Sequence, residues 1–249
     1  MEQLMYTLLA YINNSLEKDI NYSIAKSLLQ NINKIKGYSL ETVAEACNVA
    51  PSTINRFCKR IGFKNFSNLR HSVAISSKYE DPDTVLSSDK FQHQLAENIT
   101  LIEDISKKTM DRVINKIHNA KRIVILGFEK HQVQAMELQK KLFQLGKFCE
   151  CSTNLFKQID ALSDLTEEDL IITISIRGNI LSDGFSVGDK ITSAKGQKLL
   201  LTFMAETHDL VGFDEIMQCG KIANSSVSGY TLLRLFDVLV ERYQHLYPY

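Results

Sequence analysis

The 249-residue sequence predicts two domains of different class, an all-helical domain followed by a three-layer α/β domain built on a parallel sheet. Three observations carry this expectation. Up to about Lys78 the apolar residues recur at three- and four-residue spacing, the period of an amphipathic helix. Beyond residue 120, short runs such as Ile123-Val-Ile-Leu126 and Leu170-Ile-Ile-Thr-Ile-Ser175 are apolar almost throughout, as strands covered on both faces require. Helical stretches alternate with those runs, which implies a parallel sheet with helices on both sides. A polar stretch with Pro82 separates the two patterns. The expected boundaries are a helical domain over 1–78, a linker over 79–90 and an α/β domain over 91–249.

Composition narrows the function. With 44% apolar residues and zero formal net charge, the chain has ample material for a core and is not a disordered polyelectrolyte. No apolar run reaches the roughly 18 residues of a membrane span. Met1 to Ile20 lacks the basic, apolar, small-residue order of a secretion signal. Five cysteines without a CxxC pair read as free thiols in a reducing cytoplasm, and Cys149-x-Cys151 is a poor zinc spacing. A cytoplasmic protein without metal or cofactor is expected. The neutral total hides an asymmetry: residues 1–78 carry ten Lys/Arg against five Asp/Glu. No acid occurs between Glu45 and Glu80, whereas Arg56, Lys59, Arg60, Lys64, Arg70 and Lys78 fall inside that gap. Such a stretch is the electrostatic footprint of a polyanion partner.

Along the chain, Leu4, Leu8, Tyr11 and Ile12, then Ile24, Leu28 and Leu29, mark the first helices. Ser39 is placed to cap a short helix with Glu41 in its first turn. Asn48 tolerates the left-handed backbone of a tight turn. Pro51 suits the first position of the next helix, where a missing N–H costs nothing. Two short helices joined by such a turn spell a helix-turn-helix. At about 100° per residue, Ile54, Phe57, Cys58 and Ile61 share one face of the second helix. Ser52, Thr53, Asn55, Arg56, Lys59 and Arg60 occupy the other, with Lys64 just beyond. These residue types reach base edges and phosphates in a major groove. In the α/β part, strands are expected at 122–126, 148–152, 170–175, 198–203 and 221–224. Helices are expected at about 91–119, 131–146, 181–195 and 229–245.

The stretch Ser39 to Phe66 resembles the DNA-binding head of the RpiR/MurR transcriptional regulators, with Thr53, Arg56-Phe57-Cys58-Lys59, Ile61-Gly62-Phe63-Lys64 and Phe66 matching best. Asn48 stands where Gly is usual, and Ala50-Pro51 replaces the usual Ser-acid cap. The resemblance implies that the body is a SIS domain, the fold of sugar-phosphate isomerases and of their non-catalytic sensor relatives. Lys121 to Gly127, Lys140 to Lys147, Asp169 to Asn179 and Ala223 to Ser226, with Asp237, carry that likeness.

The two phosphate loops depart from the SIS pattern. The first reads Gly127-Phe128-Glu129-Lys130-His131-Gln132, with only its glycine kept and an acid that would repel a phosphate. The second reads Ser175-Ile176-Arg177-Gly178-Asn179-Ile180, with Arg177 for a serine and Ile180 for a threonine. Two readings stand side by side. In one, Gly127, Lys130, His131, Ser175, Arg177, Gly178 and Asn179 form a site for a sugar phosphate or small anion, Arg177 gripping it bidentately. In the other, the pocket is abandoned and the body only dimerises. No catalytic base is singled out, and no P-loop, dinucleotide fingerprint or nucleophile elbow occurs. The expected function is regulation of carbohydrate or related metabolism by a homodimer or homotetramer on a palindromic double-stranded DNA operator. Two alternatives remain: a SIS-type sugar-phosphate isomerase, and a module whose helical head binds protein rather than DNA.

Overall fold

The computed structural model describes residues 2–76, 86–127, 131–153, 155–177, 187–205 and 211–248. The chain divides into two compact units, the first built from the helices before Ser76 and the second chiefly from Ser88 onward.

The first unit is all-helical. It comprises α1 (Glu2–Asn14), α2 (Ile20–Gln30), a 3-10 turn (Ile32–Gly37), α3 (Leu40–Ala46), α4 (Pro51–Arg60) and α5 (Phe66–Ser76). One core joins them: Leu4 and Leu8 of α1, Ile24 and Leu28 of α2, Val43 and Ala44 of α3, Ile54 and Phe57 of α4, and Leu69 and Val73 of α5. Tyr11 meets Phe57 edge-on with ring centroids 5.4 Å apart, a favoured aromatic geometry.

The second unit carries a five-stranded, all-parallel sheet in the order β2-β1-β3-β4-β5. Its strands are β1 (Ile123–Gly127), β2 (Cys149–Cys151), β3 (Leu170–Ile174), β4 (Gln197–Thr202) and β5 (Glu215–Gln218). The register runs Ile123↔Leu170 between β1 and β3, and Leu170↔Gln197 between β3 and β4. The helices are α6 (Ser88–Glu103), α7 (Lys107–Asn119), α8 (Gln132–Gln144), α9 (Leu155–Asp160), α10 (Val187–Ser193) and α11 (Ser225–Leu246). Ile123, Ile125, Ile172 and Leu201 pack with residues of α7, α8 and α11. The alternate residues Val124, Leu126, Ile171 and Leu200 are also buried, so both faces of the sheet are covered. No described helix is long and apolar enough to cross a membrane.

Three expectations about elements need correction. The fifth strand is Glu215–Gln218, and 221–224 is a loop. The helical stretch at 91–119 is two helices, broken where Ser106 caps α7 by accepting the Thr109 N–H at 3.2 Å. The last helix starts at Ser225, four residues before the expected 229, because Asn224 caps it through the Ser226 N–H at 2.9 Å. The short α9 was not anticipated, and much of the expected 181–195 helix and of the 79–90 linker lies outside the described residues.

Candidate nucleic-acid interface and effector pocket

The helix-turn-helix is built from local rules. Ser39 Oγ accepts the Thr42 N–H at 3.1 Å and starts α3. Asn48 has φ 53°, the left-handed turn conformation read from the sequence, and turns the chain toward α4. Pro51 opens α4 after Ala50, which supplies no side-chain cap. The helix then stops in a glycine-based cap. Gly62 sits at φ 97°, with its N–H on Lys59 O (3.1 Å) and the Phe63 N–H on Cys58 O (2.8 Å).

The inner stripe of α4 is dry, with Ile54, Phe57, Cys58 and Ile61 all at most 1% exposed. Burial pushes the Cys58 thiol up to about 12, so it stays protonated and inert. Ser52, Arg56, Lys59, Arg60 and Lys64 are exposed, and Thr53 and Asn55 are half-buried. Arg56 Nη2 reaches Thr53 Oγ1 at 3.4 Å, a loose contact that leaves most of its donors outward. Asn55 departs from the expected face: its carbonyl accepts the Phe66 N–H at 3.0 Å, tying α4 to the first turn of α5. Its acceptor is therefore spent on positioning the helix.

Two other cations of the acid-free stretch also have work inside the fold. Arg70 donates to Tyr38 O at 3.1 Å. Asp19 caps α2 through the Tyr22 N–H, and that bond chiefly holds its carboxyl below the ordinary aspartate value; the nearby Arg60 adds a smaller lowering. Arg56, Lys59 and Lys64, beside Ser52, form the outward cationic set.

In the second unit, β1 leads to β2 on one side and β3 lies on the other, so the C-terminal ends of β1 and β3 flank a topological switch point, where ligands bind in open parallel sheets. Gly127, His131, Ser175 and Arg177 of the expected effector set lie at this end of the sheet. Lys130, Gly178 and Asn179 lie outside the described residues, as do Glu129 and Ile180. Gly127 is required for packing: a Cβ there would stand 2.5 Å from Ala135 Cβ and 2.6 Å from His131 O. Ser175 is buried, its N–H on Leu201 O at 3.0 Å.

The same end gathers polar groups that the sequence reading missed. Gln158 on α9 donates to Gly127 O at 3.0 Å and Ser152 O at 2.7 Å, while its own carbonyl is buried without a partner. Thr173 Oγ1 on β3 and Gln132 Nε2 at the start of α8 are buried and unpartnered as well. Native proteins leave few such atoms unless water or a ligand completes them. Only Thr173, a polar residue inside an otherwise apolar run, gave any sign in the sequence. Among the described residues, no group of three or more His, Cys, Asp or Glu is placed to hold a metal ion, and all five cysteines are free.

These features define a class: a helix-turn-helix head joined to a doubly wound α/β body. Residues 6–79 match the model described as the helix-turn-helix domain of the rpiR family. An HTH-type transcriptional regulator of Providencia stuartii, encoded in the aarA 3′ region, is 24% identical over 65% of this chain and 62% of its own length. The chain thus matches less than two thirds of that relative. The Vibrio vulnificus NanR protein, solved with ManNAc-6P, shares the fold with TM-score 0.57 and 18% identity over 98% of this chain and 92% of that one. The sugar isomerase domain of an RpiR transcription factor from Sphaerobacter thermophilus aligns with TM-score 0.53 and 14% identity, covering 64% of this chain and 89% of its own. The chain therefore carries an rpiR-family helix-turn-helix domain followed by a SIS-like α/β domain.

Proposed function

We propose that this protein is a DNA-binding transcriptional regulator, with α4 entering the major groove and the SIS-like body dimerising and receiving a small anionic effector. The observation that carries the DNA reading is the outward set of Ser52, Arg56, Lys59 and Lys64 on a helix whose opposite face is sealed into the head's core. Arg56 is the base-reading candidate, because a guanidinium grips guanine bidentately. Lys59 and Lys64 suit phosphates. Asn55, Thr53 and Arg60 belong to the same face, Asn55 acting by holding α4 against α5. One short helix reads too few base pairs for a unique site, so two heads on a palindrome about 34 Å apart are expected.

The effector reading is supported by the buried, unpartnered atoms of Gln132, Gln158 and Thr173 at the switch point. It is supported also by the sugar phosphate bound to the NanR neighbour. A phosphorylated sugar fits both, its hydroxyls meeting amide and hydroxyl groups and its phosphate meeting Arg177, with Gly127, Lys130, His131, Ser175, Gly178 and Asn179 around it. Regulation of carbohydrate metabolism follows from such a ligand. A regulator is favoured over an isomerase because the body is coupled to a DNA-reading head.

The test is a pull-down of sheared host genomic DNA by the full-length protein, sequenced, with Arg56→Ala beside it. Enrichment of a few fragments sharing an inverted repeat, with loss of about 1–3 kcal/mol in the variant, is expected. A steep linear fall of log K with log salt should accompany it. Unchanged affinity of Arg56→Ala for the enriched site removes Arg56 from base reading. Absence of any enrichment, with and without a sugar-phosphate panel, overturns the regulator reading.

A further inference from the structure

Helix α8 is apolar on two sides. Ala135, Leu138 and Leu142 face the core of their own unit. On the other side Val133, Met136 and Phe143 are exposed, at 62%, 47% and 66%. With Lys140 they advance by three, four and three residues, the spacing of a seam by which one helix packs on another. Phe148 in the following loop (74% exposed) and Leu233 on α11 complete an open groove of about 870 Å³ with that stripe. Contiguous exposed apolar surface of this kind marks an interaction site rather than the scatter normal on a soluble surface.

Charge identifies the occupant. The groove also contains two acids, Glu137 and Asp237, and two lysines, Lys140 and Lys141. Within one chain these pair as Lys140–Glu137 at 2.7 Å and Lys141–Asp237 at 2.6 Å. A patch with interspersed, balanced signs offers nothing to a strongly acidic or basic partner, but it complements itself when turned about a twofold axis. We infer that the outer face of α8 with the adjoining part of α11 is the docking surface for a second copy of this chain. The two α8 helices cross antiparallel, setting Phe143 of each copy over Val133 of the other. The inference rests on the two-headed regulator proposed above, and names the surface that joins the two copies.

Sedimentation equilibrium of the full chain tests this without DNA. The wild type is expected at twice the 28.3 kDa of one chain, and Phe143→Glu and Met136→Glu each at half the wild-type mass. Leu16→Glu and Val211→Glu, at exposed apolar positions outside the groove, should keep the wild-type mass. Circular dichroism of all four variants checks that the helices persist. A monomeric wild type, or folded groove variants that keep the wild-type mass, overturns the inference. So does an equal loss in the two control variants. Groove-dependent dimers that bind no DNA leave the surface standing and sink the regulator reading instead.

Discussion

The turn between α3 and α4 offers a sharp test, because one backbone angle sets its energetics. Asn48 sits at φ 53°, a conformation that costs an ordinary L-residue about 1–2 kcal/mol. Asn pays less, since its short polar side chain tolerates this region, and Gly pays nothing in the folded state. Glycine, however, gives the unfolded chain more freedom, worth about 0.4–1 kcal/mol against it. The two terms nearly cancel for Asn48→Gly, so that variant should lie within about 0.5 kcal/mol of wild type. Asn48→Ala keeps the strain and should cost the head about 1 kcal/mol. Asn48→Val, with a branched β-carbon, should cost more. Asn48 is exposed, so cavity and burial effects do not enter and the backbone alone is read. The assay is urea unfolding of the full chain, followed by tyrosine fluorescence as well as circular dichroism. Tyr11 against Phe57 reports on the head, and the sequence has no Trp to obscure it. Asn48→Ala as stable as Asn48→Gly would refute the left-handed turn, and with it the geometry that aims α4.

The body yields two more predictions. Gly127→Ala would drive a Cβ into Ala135 and the His131 carbonyl, an overpacking that should cost about 1–3 kcal/mol; a melting temperature equal to wild type would show that α8 can retreat from β1. Asp111 on α7 accepts two bonds from Arg242 on α11, at 2.6 and 2.9 Å, and this hydrogen bonding is the main reason its carboxyl lies below the ordinary aspartate value. A depressed folded pKa contributes stability above the unfolded value, near 3.9, and loses it as pH falls through the folded one. The difference in urea midpoint between wild type and Asp111→Asn should therefore be constant from neutral pH down to about 5 and vanish below about 4. A difference that persists in acid would assign the effect to packing.

Elements governed by local chemistry were readable, and those fixed by distant partners were not. Ser39, Asn48 and Pro51 act on the backbone within three residues, and each appears where the sequence put it. The fifth strand shows the opposite case. Lys221-Ile-Ala-Asn looks as strand-like as Glu215-Ile-Met-Gln, but the buried amide of Asn98 claims the Lys221 backbone, taking its N–H at 2.6 Å and bonding its carbonyl at 3.2 Å. Those groups cannot also join a ladder. Meanwhile Arg112 holds Glu215 at 2.9 Å and the Asp214 carboxylate takes the Lys198 N–H at 2.7 Å, fixing β5 beside β4. The deciding partners lie 123, 103 and 16 residues away, beyond any periodic pattern.

The cationic face obeys the same distinction. Helical angles correctly put Arg56, Lys59 and Arg60 away from the apolar stripe, because burial of Ile54, Phe57 and Cys58 leaves a helix no other orientation. Angles count charges without knowing which of them the fold uses. Arg70 is drawn back to a carbonyl 32 residues earlier, Arg60 sits near the capping acid of α2, and the Asn55 carbonyl holds the next helix. A polyanion therefore meets a narrower set than the sequence displays. Substitution at Arg56 or Lys59 should weaken DNA binding at unchanged stability. Asn55→Ala should lower both together, losing about 1 kcal/mol of folding free energy with its bond to the Phe66 N–H. Asn55→Ala with wild-type stability and lost DNA affinity would return it to the set of residues that touch DNA directly.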